Sequence, residues 1–147
     1  HRSSLIEING VRFLDDSYNA NPTSMKAALN TAAEIKATGR VHAVLGTMFE
    51  LGEQSDQFHT ETGIFAGEMN LNSLIGFGTA AKLYTDGAQQ SDPELATLAT
   101  SNAEEAAEYL LSNVSPGDLV LVKGSRGAQS EKVIAAFEAL HTQEKEV

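Results

Sequence analysis

The 147-residue chain contains no cysteine. That excludes a disulfide scaffold, a cysteine-ligated zinc site and thiol catalysis. Basic residues are scarce: ten Lys and Arg stand against twenty Asp and Glu, for a net charge of −10. Non-specific binding of nucleic acid needs excess cations against phosphates, so nucleic acid is not an expected partner. No apolar run approaches the roughly 20 residues that cross a bilayer. The opening His1-Arg2-Ser3-Ser4 has no long apolar segment of a secretory signal. No membrane association is expected, and the expected location is the cytoplasm. None of the 12 glycines is followed by lysine. A Walker A loop needs that pair, because backbone amides cradle the phosphates while the lysine reaches the terminal ones. A phosphate loop of that type is therefore not expected here. The chain begins without methionine, as an excised piece of a longer protein would.

What is present reads as one globular domain. Apolar residues make up 41% and charged residues 20%, a mixture that buries a core. A chain of this length hides about two-thirds of the surface its unfolded form exposes. Ser4-Leu5-Ile6-Glu7-Ile8, Asn9-Gly10 and Val11-Arg12-Phe13-Leu14 predict a hairpin with a two-residue type I′ turn. Asn21-Pro22 is a helix start, a capping side chain followed by a residue of preset φ. Met25, Ala28, Leu29, Ala32 and Ile35 line one face of that helix, and Gly39 is its expected end. Strands are then predicted at Val41–Leu45, Ser73–Gly76, Leu95–Leu98 and Asp118–Val122. Helices are predicted around Phe58, Thr62, Phe65 and Met69, over 79–90, from the capping-box spacing of Ser101 and Glu104 to about Leu111, and through Val133, Ile134, Phe137 and Leu140. The charged tail from Thr142 is expected to fray. Alternating strand and helix predicts a three-layer α/β domain with a mostly parallel sheet and an N-terminal hairpin. Ligands of such sheets bind beyond the carboxyl ends of the strands.

Three polar stretches follow predicted strands. The first is Asp15 to Asn21. Two adjacent acids point in different directions, so one can accept hydrogen bonds from ribose hydroxyls; capping and turn chemistry explains Asn19 and Asn21 as well. The second is Gly46 to Gly52, where Glu50 either orients an amine or is a solvated loop acid. The third is Lys123-Gly124-Ser125-Arg126, which concentrates cations in an acidic chain. An arginine fork, a hydroxyl and a glycine before a helix suit a carboxylate or phosphate, against the plainer reading of surface charges countering acids. Gly76-Phe77-Gly78-Thr79-Ala80-Ala81 matches a dinucleotide fingerprint weakly, and a tight strand-to-helix turn is the preferred reading. His42 is expected in the core. His59 lies on a helix without partners at metal spacing, so no metal site is expected.

The three stretches together resemble the Mur ligases, ATP-dependent amide-forming enzymes of peptidoglycan precursor synthesis. Asp15-Asp16-Ser17-Tyr18-Asn19-Ala20-Asn21-Pro22-Thr23-Ser24-Met25, Gly46-Thr47-Met48-Phe49-Glu50-Leu51-Gly52 and Val122-Lys123-Gly124-Ser125-Arg126 carry the resemblance, in order and spacing. Thr47 departs from the family's usual Asp, and Ser130 stands where Met is common. The resemblance implies a Rossmann-like C-terminal domain of a three-domain enzyme, inactive alone. It implies ATP as substrate, with Mg²⁺ held by the central domain. UDP-MurNAc-tripeptide and D-Ala-D-Ala are the implied partners, and a monomer is expected. Arg2, Asp16 and Asn19 are the implied ATP-side residues. Asn21, Glu50, Lys123, Ser125 and Arg126 are the implied substrate-side residues. A sister ligase adding another amino acid and a non-enzymatic nucleotide-binding module are the competing readings.

Overall fold

In the computed structural model, which describes residues 3–17, 19–35 and 39–146, six strands and five helices alternate along the chain. Strands β1 (Ser4–Ile8) and β2 (Val11–Asp15) form the hairpin. Its turn residues Asn9 and Gly10 both take positive φ, 51° and 80°, as a type I′ turn requires. There follow α1 (Pro22–Ile35), β3 (Val41–Gly46), α2 (Ser55–Gly67), β4 (Ser73–Phe77), α3 (Ala81–Ser91), β5 (Ala96–Thr100), α4 (Ala103–Asn113), β6 (Leu119–Lys123) and α5 (Lys132–Glu146). Among the described residues no helix is long and apolar enough to cross a membrane.

The strands form one sheet in the order β1-β2-β6-β3-β4-β5, parallel except for β1. Strands β3, β4 and β6 are buried throughout, because helices cover both faces. Alternation then sorts their side chains. Ala43, Leu45, Leu119 and Leu121 join α1, α2 and α3 in one core. Val44, Val120 and Val122 join α4 and α5 in the other. There Phe13 packs on Phe137 with ring centroids 4.9 Å apart.

The structure refines three details of the sequence reading. On the predicted face of α2, Thr62 is buried and Phe58 and Phe65 pack partly buried against the core, and His59, Gly63, Ala66 and Gly67 are buried beside them. The cause is close packing of α2 on α3. A Cβ on Gly63 would strike the Tyr84 carbonyl, one on Gly67 the Ala88 carbonyl, and one on Gly87 the Thr60 carbonyl. Helix α4 is capped by Asn102, whose Oδ1 accepts from the Glu105 amide at 2.9 Å, and not by Ser101. Helix α5 continues to Glu146 instead of fraying from Thr142; Gln, Glu and Lys are good helix formers and no Gly or Pro interrupts them. The end of α1 abuts residues outside the described set, but Gly39 has a packing role of its own. A side chain there would collide with Asp118 and the Gly117 backbone.

Candidate functional site

Register brings the three polar stretches together. Asp15 lies opposite Val122, and Leu45 opposite Lys123, so β2, β6 and β3 end side by side at one level. The stretches of 16–21, 123–126 and 46–52 leave these neighbouring ends. Asp15 and Asp16 do diverge. Asp15 Oδ1 accepts from the amide and hydroxyl of Ser17, a local turn at 3.2 and 2.5 Å. Asp16 Oδ2 instead receives Lys123 Nζ at 2.9 Å.

Lys123 is buried, with 3% of its side chain exposed. Its ammonium also donates to the carbonyls of Asp16 at 3.3 Å and Asn19 at 2.9 Å. Three acceptors therefore engage its three N–H groups. The lysine fastens the 16–19 segment to β6 and orients the Asp16 carboxylate, which stays 23% exposed. Asn19 is exposed and contributes its carbonyl to that clamp. Asn21 caps α1: its Oδ1 accepts from the Ser24 amide at 2.9 Å while Ser24 Oγ accepts from the Asn21 amide at 3.0 Å. This reciprocal pairing fulfils the sequence expectation of a capped helix with Pro22 at its first position. Arg2 lies outside the described residues.

The first residues of the loop after β3 are held by a series of backbone hydrogen bonds. Tyr84, fully buried, donates its hydroxyl to the Gly46 carbonyl at 2.7 Å. The Thr47 amide donates to the Phe77 carbonyl, and the Thr47 carbonyl accepts from the Ser125 amide, both at 3.0 Å. The Met48 amide donates to His59 Nε2 at 2.9 Å, and the Phe49 amide to Ser125 Oγ at 2.9 Å. Ser125 thus joins two of the three stretches. Thr47 Oγ1 accepts from the Ala80 amide at 3.0 Å, so this residue organises the entry to α3. Gly78, at φ 104°, needs its missing side chain because a Cβ would lie 2.6 Å from Thr47 Oγ1. The Gly76–Ala81 segment is accordingly a tight turn.

Past these anchors the loop projects. Glu50 is exposed in the left-handed region at φ 63°, and Phe49 is 43% exposed beside Gly127. Arg126 is exposed where a short 3-10 turn, Arg126–Ala128, begins. Gly46 and Gly124 touch across the β3–β6 crevice: a Cβ on Gly124 would sit 2.7 Å from the Gly46 Cα. Beneath them lies Ser130, whose buried hydroxyl has no hydrogen-bond partner among the described residues. A cleft of about 590 Å³ lies farther along the sheet, lined by Phe77, Asn102, Gln129 and Lys132 among others. Sequence reasoning did not single out the supporting role of Tyr84, His59 or Thr47. The one signal available was His59 four residues after Ser55 on a helix flanking the loop.

Residues 1–126 match the family model described as Mur ligase, glutamate ligase domain. The chain is 30% identical over 126 residues to UDP-N-acetylmuramoyl-tripeptide–D-alanyl-D-alanine ligase of Bacillus subtilis, covering 86% of this chain and 28% of that protein. It is 35% identical over 138 residues to the enzyme of the same name from Mycobacterium bovis, covering 82% and 27%. The fold matches the crystal structure of MurF ligase from Thermotoga maritima in complex with ADP, with a TM-score of 0.79 and 29% identity over 95% of this chain and 31% of that one. MurF from Acinetobacter baumannii matches with a TM-score of 0.80, 29% identity and 92% and 30% coverage. The chain thus spans under a third of the length of these relatives.

Proposed function

The chain belongs to the Mur ligase family, and from that premise we propose that it is the C-terminal domain of a three-domain, ATP-dependent cytoplasmic ligase joining D-Ala-D-Ala to UDP-MurNAc-tripeptide. The observation that carries the proposal is the convergence of all three motif stretches on the adjacent ends of β2, β6 and β3. In the proposed reaction a carboxylate oxygen of the tripeptide attacks the γ-phosphorus of ATP, and ADP leaves. The dipeptide amine then attacks the acyl carbon of the acyl phosphate, loses a proton, and inorganic phosphate departs. Domain closure shields this intermediate from water. The phosphate loop and the Mg²⁺ site belong to the central domain in this reading.

This domain supplies positioning. Asp16, oriented by Lys123, accepts the ribose hydroxyls of ATP, Asn19 serves the same ligand, and Arg2 takes the role of the family's basic residue toward the ATP phosphates. Arg126 and Ser125 face the dipeptide carboxylate, Glu50 its amine, and Asn21 the cleft wall at the α1 cap. Lys123 acts from behind, through the Asp16 carboxylate.

The test is made on the full-length enzyme. Arg126→Lys keeps the charge and loses the fork, so it raises KM for D-Ala-D-Ala more than KM for ATP. Arg126→Ala costs about 2–5 kcal/mol in dipeptide use. A dipeptide amide, lacking the carboxylate, is a poor substrate of the wild type and loses little more on Arg126→Ala. Equal losses for acid and amide would remove the carboxylate assignment. The 147-residue chain by itself is expected to release no phosphate from ATP in the presence of both substrates and Mg²⁺.

A further inference from the structure

The roles of two backbone groups determine the state of a buried imidazole. His59 is fully buried on α2. Its Nδ1 lies 2.7 Å from the Ser55 carbonyl oxygen, which only accepts, so Nδ1 carries the proton. Its Nε2 lies 2.9 Å from the Met48 amide, which only donates, so Nε2 is bare. Neither partner can exchange roles. The ring itself cannot move away easily, because α2 and α3 meet through glycines and the Tyr84 ring packs against it in a T-shaped contact, with centroids 5.1 Å apart.

We propose that His59 is a positioning residue: neutral, with its proton on Nδ1, it seats the Gly46–Gly52 loop over the ends of β3 and β6, and a proton on Nε2 unseats it. Protonation would set two donors against each other at 2.9 Å, the ring N–H and the Met48 amide. The Met48 anchor lies between the Gly46 carbonyl on Tyr84 and the Phe49 amide on Ser125. Its loss therefore loosens the connection between the loops of 46–52 and 123–126, and with it the placement of Phe49 and Glu50. The titratable groups facing His59 are Tyr84 from α3 and Asp56 from its own helix. Burial lowers the histidine's basicity; the Ser55 carbonyl and the Asp56 charge oppose this and are outweighed. The seated loop is accordingly the neutral-pH form and the unseated loop the acid form. The inference concerns the loop itself and holds whichever ligand the site takes.

The experiment uses the ¹⁵N-labelled 147-residue chain. Long-range proton–nitrogen spectra at about pH 7.5 should show the Nδ1–H tautomer of His59. On acidification its ring should titrate with a midpoint below 6.5. The amides of Met48, Phe49 and Ser125 should move with that midpoint, while Leu121 in β6 stays still. His59→Gln places an amide oxygen near the position of Nε2, so it should keep Met48 protected from hydrogen exchange to within roughly threefold and abolish the acid response of the three amides. His59→Leu should speed Met48 exchange by about tenfold or more at neutral pH. An Nε2–H tautomer, unchanged Met48 exchange in His59→Leu, or an acid response surviving in His59→Gln would overturn the proposal. If His59→Leu does not fold, the tautomer and the Gln variant decide alone.

Discussion

Histidine is buried at both ends of the sheet, and the two rings face opposite demands. His42 lies at the amino ends of the strands, between Ser73 Oγ at 2.7 Å and Asp118 Oδ2 at 2.8 Å. A hydroxyl donates or accepts and a carboxylate welcomes a proton, so these partners suit either protonation state. His59 lies at the carboxyl ends between a carbonyl and an amide, which tolerate only the neutral ring. The amino end is densely cross-linked. Asp118 there also accepts the Arg40 amide at 2.9 Å and the Ser115 amide at 3.0 Å. The carboxyl end is conditional: it carries the positive-φ Glu50, the touching glycines and the unpartnered Ser130 hydroxyl. A binding end needs segments that rearrange, and a supporting end does not.

The sharpest way to break the contrast is to remove the partner at the supporting end. Asp118→Ala strands His42 and two amides at once, so it should cost about 3–5 kcal/mol in urea unfolding. Met48 exchange should then change only through global stability. Next in size is Lys123→Met at the opposite end. It leaves the carbonyls of Asp16 and Asn19 without their donor and should cost about 1–3 kcal/mol. Its distinguishing mark is faster amide exchange in the segment 16–21, with the Asp118 surroundings unaltered.

The pH dependence separates the two ends further. His59 resists protonation in the folded state while the unfolded chain binds a proton near 6.5. The unfolded state then carries more protons, and stability declines as pH falls from that value towards the folded one. This part of the decline should be absent in His59→Gln. Asp118 behaves differently. Desolvation pushes its carboxyl up, but the Arg40 amide, the His42 imidazole and the Ser115 amide together hold it below the ordinary 3.8. Its contribution is complete above 3.8 and is lost as pH falls through the lower folded value. Urea midpoints in steps from about pH 8 to about pH 3 resolve both windows. The smallest effect is expected at Ser130. Ser130→Ala deletes a buried hydroxyl with no partner among the described residues and should raise stability by about 0.5–1 kcal/mol; a loss of stability would mean that the hydroxyl is engaged.

Much of this was legible in the linear pattern, for reasons that are local. Asn9-Gly10 turns a hairpin because both residues tolerate positive φ, and Asn21-Pro22 opens α1 because one caps and the other presets φ. The runs 41–45, apolar but for His42, and 119–122 are central strands because strands covered on both faces lack regular polar alternation. The motif residues were likewise visible as polar breaks after such runs. The predicted face of α2 reaches the core, but the part played by Gly63 and Gly67 was not legible, because glycine scores as neutral in a hydrophobic pattern yet lets α2 and α3 pack closely in the domain's larger core.

Sequence alone thus determined the alternating elements, the parallel α/β class and the three stretches to watch, since periodicity, turn chemistry and charge act between near neighbours. Tertiary structure decided what each polar group does. Lys123 and Asp16 are 107 residues apart, His42 and Asp118 are 76 apart, and the Phe49 amide meets Ser125 across another 76. These pairs are set by strand order and register, which put β6 between β2 and β3. A side chain's available partners, and with them its charge state, follow from that placement and from the water it excludes.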